Sequence, residues 1–425
     1  MQIRCGAVLF LLLSPVTAAA YSQFTHQTLI DVTWERAIRP LLMQRYPGTT
    51  AAQLTRAYSF AYGGCLIQDI GYYPFGKRFF SDLTHYVRTG DFVLALLRGA
   101  RNVDEFAFAL GALSHYVGDS IGHSQAVNRS VPILFRDLAA RYGPVVTPEE
   151  SSTAHIRTEF GFDVAQVSWK RYAPRAYRKS IGFRVARPLL YQAFHQTYGI
   201  RTRGILGPGR AAVASYQSAV GKLLPLFLRA EVLILRNDLP HEEITPAREQ
   251  FLANLADTAY AKYWTNAYST PGFGAHAAAI LLRVIPKIGE LKALSTKAPV
   301  TETEELFVES MVEATRRFRE LLEGVGAHPD LNLRLEDLDL DTGRPAVPGE
   351  SKIVDRTLAK LLSHLVQEKA LPPVEIRDRV LGFFQEESGP TRLTQKEWIR
   401  VRANKQALKQ RYPPNGKVEA RASEN

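Results

Sequence analysis

The stretch "HYVGDSIGHSQAVN", residues 115–128, sets His115, Asp119 and His123 four residues apart within otherwise small and apolar sequence. No proline interrupts "DEFAFALGALSHYVGDSIGHSQAV", and its apolar residues recur at three- and four-residue spacing. The segment therefore reads as one α-helix. A four-residue step turns a helical side chain by only about 40°, so His115, Asp119 and His123 share one face within about 80°. Imidazole nitrogen and carboxylate oxygen form a ligand set that suits zinc. The alternative for this helix alone is a core histidine, an exposed histidine and a helical ion pair.

Working outward, the same periodicity appears in "AAVASYQSAVGKLLPLFLRAEVLILRND" and "TEELFVESMVEATRRFRELLEGV". Strict alternation is scarce, so the expected fold is all-α with no large sheet. Residues 21–240 read as one helical domain and 245–395 as a helical extension. Residues 396–425 read as a basic, disordered tail carrying eight Lys and Arg against three Glu. Asp337, Asp339 and Asp341 alternate as in a calcium loop, but the Gly and Glu of an EF-hand are missing, so they read as a solvated loop.

The start, "MQIRCGAVLFLLLSPVTAAAYS", has a basic residue, a short apolar run and small residues at Ala18 and Ala20. That layout is expected of a secretory signal peptide over residues 1–20, cleaved after Ala20 to leave Tyr21 at the new N-terminus. A secreted or periplasmic protein is thus expected. Cys5 would leave with the leader and Cys65 would stand alone, which excludes an internal disulfide in the mature chain. The net charge of +11 favours anionic partners, without choosing lipid headgroups over nucleic acid.

Other histidines near the leader and the central helix have acidic company. "STAHIRTEFGFD" holds His155 and Glu159 one helical turn apart, "CLIQDIGYYP" holds Asp69 in an apolar setting, "SDLTHYV" holds His85, and "YSQFTH" holds His26. An unpaired carboxylate in such an apolar setting is costly.

The order of these residues, ending in His-x3-Asp-x3-His and His-x3-Glu, resembles the zinc-dependent phospholipase C family and the single-strand-specific zinc nucleases of the same fold. The resemblance covers roughly residues 21–165. It implies a secreted helical enzyme with up to three zinc ions. Asp69, His85, His115 and Asp119 would hold one; His123, His155 and Glu159 a second; and the amine and carbonyl of Tyr21, with His26 and a bridging Asp119, a third. The family's first residue is typically Trp, where Tyr21 stands here. The amine ligand would exist only after cleavage at Ala20.

Asp69 is implied as the catalytic residue that orients the attacking water or takes its proton. Tyr72, Tyr73 and Phe79, in "IGYYPFGKRFFSDLT", are the expected substrate-binding aromatics, cradling a choline headgroup or stacking on a base. The expected activity is phosphodiester hydrolysis of a phospholipid. A nuclease of the same fold and a non-catalytic, zinc-stabilised helical binding protein are the alternatives. Structural zinc sites close four positions with protein ligands, whereas the second and third sets supply about three groups each, which favours catalysis. A phospholipid or membrane surface is the expected partner, with nucleic acid as the alternative substrate. No protein partner is implied and a monomer is expected.

Overall fold

The computed structural model describes residues 21–73, 75–201, 205–206, 209–261, 273–284, 295–385 and 391–411. The expected leader at residues 1–20 and the chain beyond 411 lie outside the described residues. Among the described residues, helices account for 73% of the structure, against a single two-stranded sheet, so the fold is all-α. The principal helices are α1 (Gln23–Thr33), α2 (Ala51–Gly64), α3 (Arg78–Tyr86), α4 (Val103–Ile121), α5 (Pro148–Ser168), α6 (Thr301–Ala327), α7 (Lys352–Gln367) and α8 (Gln395–Gln410).

Local sequence sets their starts. Asn102 accepts the Glu105 N–H to cap α4. Thr50 and Gln53 form a capping box on α2, and Thr147 with Glu150 does the same for α5, which has Pro148 at its first position. Helix α4 is buried along almost its whole length and forms the axis of the core. Its closest neighbour is α2, and glycine permits the approach. A Cβ on Gly111 would lie 2.3 Å from the Ala61 carbonyl oxygen, and one on Gly64 would lie 2.0 Å from that of Phe108. Any larger side chain at either crossing position would push the helices apart.

The later part of the chain is built into this core. Helix α6 packs on α1 and α4, and its Phe307, Met311 and Phe318 lie in the same buried cluster as Phe24, Leu110 and Leu113. Two expectations are corrected here. Residues 396–410 are helical: α8 starts with a capping box of Thr394 and Glu397, and packs on α7 with Val401 and Leu408 buried. Apolar residues at helical spacing and a strong cap outweigh the high lysine and arginine content. The Asp337–Asp341 loop is not solvated either. Strand β1 (Leu338–Asp339) pairs antiparallel with β2 (Arg344–Pro345) through a turn with Gly343 at φ 67°, and Asp339 and Asp341 are both buried.

Candidate metal centre

Four side chains from three segments meet beside α4. Asp69 comes from the short 3-10 turn Ile67–Tyr72 that follows α2, His85 from the last turn of α3, and His115 and Asp119 from α4. One ligand atom from each lies within 4.8 Å of every other, and all four residues are buried. The Nε2 atom of His85 is 3.3 Å from Asp69 Oδ1 and 3.2 Å from Asp119 Oδ2. His115 Nε2 is 3.0 Å from Asp119 Oδ2, 3.9 Å from Asp69 Oδ1 and 3.3 Å from His85 Nε2. Ligand atoms at the corners of a tetrahedron with zinc bonds of about 2.0–2.1 Å stand roughly 3.3–3.4 Å apart. The observed separations straddle that value.

Tautomers follow from the outer partners. His115 Nδ1 is 3.0 Å from the Cys65 carbonyl oxygen and His85 Nδ1 is 2.8 Å from that of Ser81. A carbonyl can only accept, so each Nδ1 carries a proton, and in the neutral ring each Nε2 presents a lone pair. The two Nε2 lone pairs then face each other and two carboxylates, an arrangement that a cation stabilises. Asp69 Oδ1 and both oxygens of Asp119 have no aligned hydrogen bond despite their burial. Orphaned acceptors of this kind are rare unless a ligand satisfies them. The residues therefore fit a divalent metal by donor set, spacing and unsatisfied capacity.

Electrostatics point the same way. Burial alone would lower His85, but the Asp119 and Asp69 carboxylates beside its Nε2 outweigh burial and hold it well above the usual imidazole range, so they demand positive charge at that atom, from a proton or a cation. Burial would raise Asp119, yet His115, His26 and His85 hold it well below the carboxylate range. Asp119 also faces two ways: Oδ2 meets His85 and His115, whereas Oδ1 lies 3.1 Å from His26 Nε2. That disposition suits a bridging carboxylate.

The N-terminal segment is held against α4 by small residues that the metal motif leaves between its ligands. A Cβ on Gly118 would come within 3.2 Å of the His26 ring, and one on Gly122 within 2.7 Å of the Tyr21 ring. The Tyr21 hydroxyl is 2.7 Å from Ser310 Oγ on α6. Asp163, two turns beyond His155 on α5, accepts from Ser22 Oγ, from the backbone N–H of Phe24 and Thr25, and from Thr25 Oγ1. It acts as a cap for α1 supplied by another helix.

The second expected set converges less tightly. α4 ends at Ile121 and passes into a π-helical turn, Gly122–Val127, that carries His123 away from the His115 face. Such π-turns are frequent at functional sites. His123 Nε2 lies 3.9 Å from Glu159 Oε1, and the His123 and His155 ring centroids are 6.0 Å apart. His155 Nδ1 donates to the Ser151 carbonyl at 2.9 Å, so its Nε2 lone pair faces Asn128 Oδ1 at 3.0 Å. Two acceptors again confront each other. Burial pushes His123 down to about 3 and His155 to about 4, which keeps both neutral and able to ligate. Asn128 escaped sequence reasoning, and no spacing signal distinguishes it.

The aromatics divide. The Tyr72 ring centroid is 5.7 Å from that of His85, next to the four-residue group. Tyr73 packs edge-on against Tyr216. Phe79 is buried and stacks on His364 of α7, with Lys360 Nζ 4.2 Å from its ring centroid, so it packs between helices rather than lining an open mouth.

Fold and site together define an all-helical protein built around a buried, closely spaced His2Asp2 group suited to zinc. Residues 25–204 match the family model for zinc dependent phospholipase C. The match spans every expected ligand except Tyr21. No curated protein and no solved structure matches the chain significantly.

Proposed function

We propose that the protein is an exported zinc-dependent phosphodiesterase that hydrolyses a phospholipid at its headgroup phosphate, as phospholipase C does. The observation that carries this reading is the convergence of buried ligand atoms from Asp69, His85, His115 and Asp119 within 4.8 Å of one another, in the region that matches the family model. His123, His155 and Glu159 would hold a second ion, and His26, Asp119 and the backbone of Tyr21 a third. Zinc bound there would supply Lewis-acid stabilisation of phosphate charge and a water of lowered pKa.

The chain's own residues then have definite tasks. Asp69 is buried and its Oδ1 faces the group as a ligand, so its second carboxylate oxygen would be the one to orient a water or take its proton. Burial holds the Tyr72 phenol well above its usual value of 10, which keeps it a hydrogen-bond donor at neutral pH beside His85. Phe75, in the loop that follows Tyr73, is 59% exposed and sits at φ 64°. A bulky residue in the left-handed region is a strained outlier of the kind that gathers at functional sites. Its exposed ring supports contact with an apolar ligand such as a lipid.

Export is supported by the way residues 21–26 are pinned to α4, α5 and α6, which would place a new amine at Tyr21 beside His26. The test is a paired assay on protein beginning at Tyr21. Phosphatidylcholine hydrolysis with chelator-sensitive diacylglycerol release is the expected result. Cutting of single-stranded DNA with no diacylglycerol release would move the substrate to nucleic acid. No cleavage of either substrate by zinc-loaded protein would refute the proposed chemistry.

A further inference from the structure

The segment Asp339–Asp341 lies far outside the family-matched region, yet it touches the ligand sets at three points. The Leu340 N–H donates to the His85 carbonyl oxygen at 2.9 Å. His123 Nδ1 lies 3.3 Å from the Leu340 carbonyl oxygen and 3.4 Å from Asp341 Oδ1. Asn128 Nδ2 donates to the Asp341 carbonyl oxygen at 2.7 Å, which turns Asn128 Oδ1 toward His155 Nε2. Asp341 is itself fixed: the Tyr86 hydroxyl donates to Oδ2 at 2.9 Å, and its own N–H donates to Asp339 Oδ1 at 2.9 Å. Leu340 is fully buried, and Gly343 runs so close to Ser120 that a Cβ there would lie 2.6 Å from the Ser120 carbonyl oxygen. The segment is thus a fixed part of the site wall.

We propose that Asp341 is a positioning residue for the second metal position, acting on His123 through Nδ1 and on His155 through Asn128. The proposal rests on the zinc reading above. A carboxylate and a carbonyl at His123 Nδ1 both demand a proton there, so Nε2 is left as the ligating atom and the ring is held in one orientation. Carboxylate partners of ligating histidines also raise ligand basicity, and removing such outer partners costs about 10–100-fold in metal affinity. The C-terminal portion of the chain would then serve the metal site directly, through one loop.

The test is stepwise zinc affinity, measured by competition with a chromogenic chelator on protein beginning at Tyr21, alongside thermal stability in excess zinc. Asp341→Asn keeps the volume and replaces the carboxylate beside His123 and Tyr86 with an amide. It is expected to weaken one zinc ion about 10-fold or more while the others keep parental affinity. Asp341→Ala should exceed that loss. Tyr86→Phe, which frees Oδ2 and leaves His123 untouched, should weaken the same ion by less. A purely structural role for Asp341 would lower stability without singling out one ion. Full parental zinc affinity in Asp341→Asn and Tyr86→Phe would overturn the proposal. A parent protein that binds no zinc would instead refute the reading beneath it.

Discussion

Replacing Asp163 by alanine probes how the N-terminal segment is locked to the site. Its carboxylate accepts from two backbone N–H groups of the first turn of α1, at 2.9 Å from Phe24 and 3.1 Å from Thr25, and from the Thr25 hydroxyl at 2.7 Å. All of these groups are buried. A buried donor left without a partner costs about 1–3 kcal/mol, so two orphaned amides cost about 2–6 kcal/mol. Burial also pushes the Asp163 carboxyl up to about 6, against hydrogen bonds that lower it. The native state therefore holds its proton more tightly than the unfolded chain. That contribution to stability is present at low pH and is lost as pH rises through about 6. Alanine removes it, so the destabilisation should be larger at pH 5 than at pH 7.5, by about 1.4 kcal/mol. Urea denaturation of the parent and Asp163→Ala at the two pH values measures both quantities. An unchanged midpoint at both would refute the capping argument. A cost that grows with pH would refute the assigned shift.

Other perturbations have equally definite outcomes. Gly122→Ala places a Cβ 2.7 Å from the rigid Tyr21 ring, so overpacking of about 1–3 kcal/mol should outweigh the gain in helix propensity of about 1 kcal/mol, read as a lower melting temperature. Asp119→Asn removes the charge that faces both His26 and the His85–His115 pair, so zinc content measured by mass spectrometry should fall by more than one ion, whereas loss of a single ion would refute the bridging role. Cys65 is buried and its thiol is held well above the usual range by burial, so a thiol reagent should label it only after denaturant is added to protein beginning at Tyr21.

Helical class and the shared face of His115 and Asp119 were legible because both rest on local periodicity, whereas Asp69 and His85 joined them only through the family resemblance. His115 and Asp119 share an α-helical face, and a four-residue spacing is enough to find them. His123 departs because α4 gives way to a π-turn at Gly122, and no residue-level propensity announces an extra residue in a turn. Gly118 and Gly122 look like helix weaknesses in sequence, and their use becomes visible only with Tyr21 and His26 lying over them. Asp163, Asn128 and Asp341 were missed as site residues because their partners are distant in sequence. Asp341 lies 218 positions beyond His123 in number, and an alternating run of aspartates reads as solvated unless its burial is known. Phe79 was misplaced for the converse reason: an aromatic near a ligand looks like a substrate contact until α7 is seen packed over it.

The central claim is that Asp69, His85, His115 and Asp119 hold zinc. An anomalous-difference map collected at the zinc edge, on crystals of protein beginning at Tyr21, tests it most directly. The account predicts a peak about 2.0–2.2 Å from Asp69 Oδ1, His85 Nε2, His115 Nε2 and Asp119 Oδ2 together. No peak at that point in zinc-supplemented crystals would contradict it.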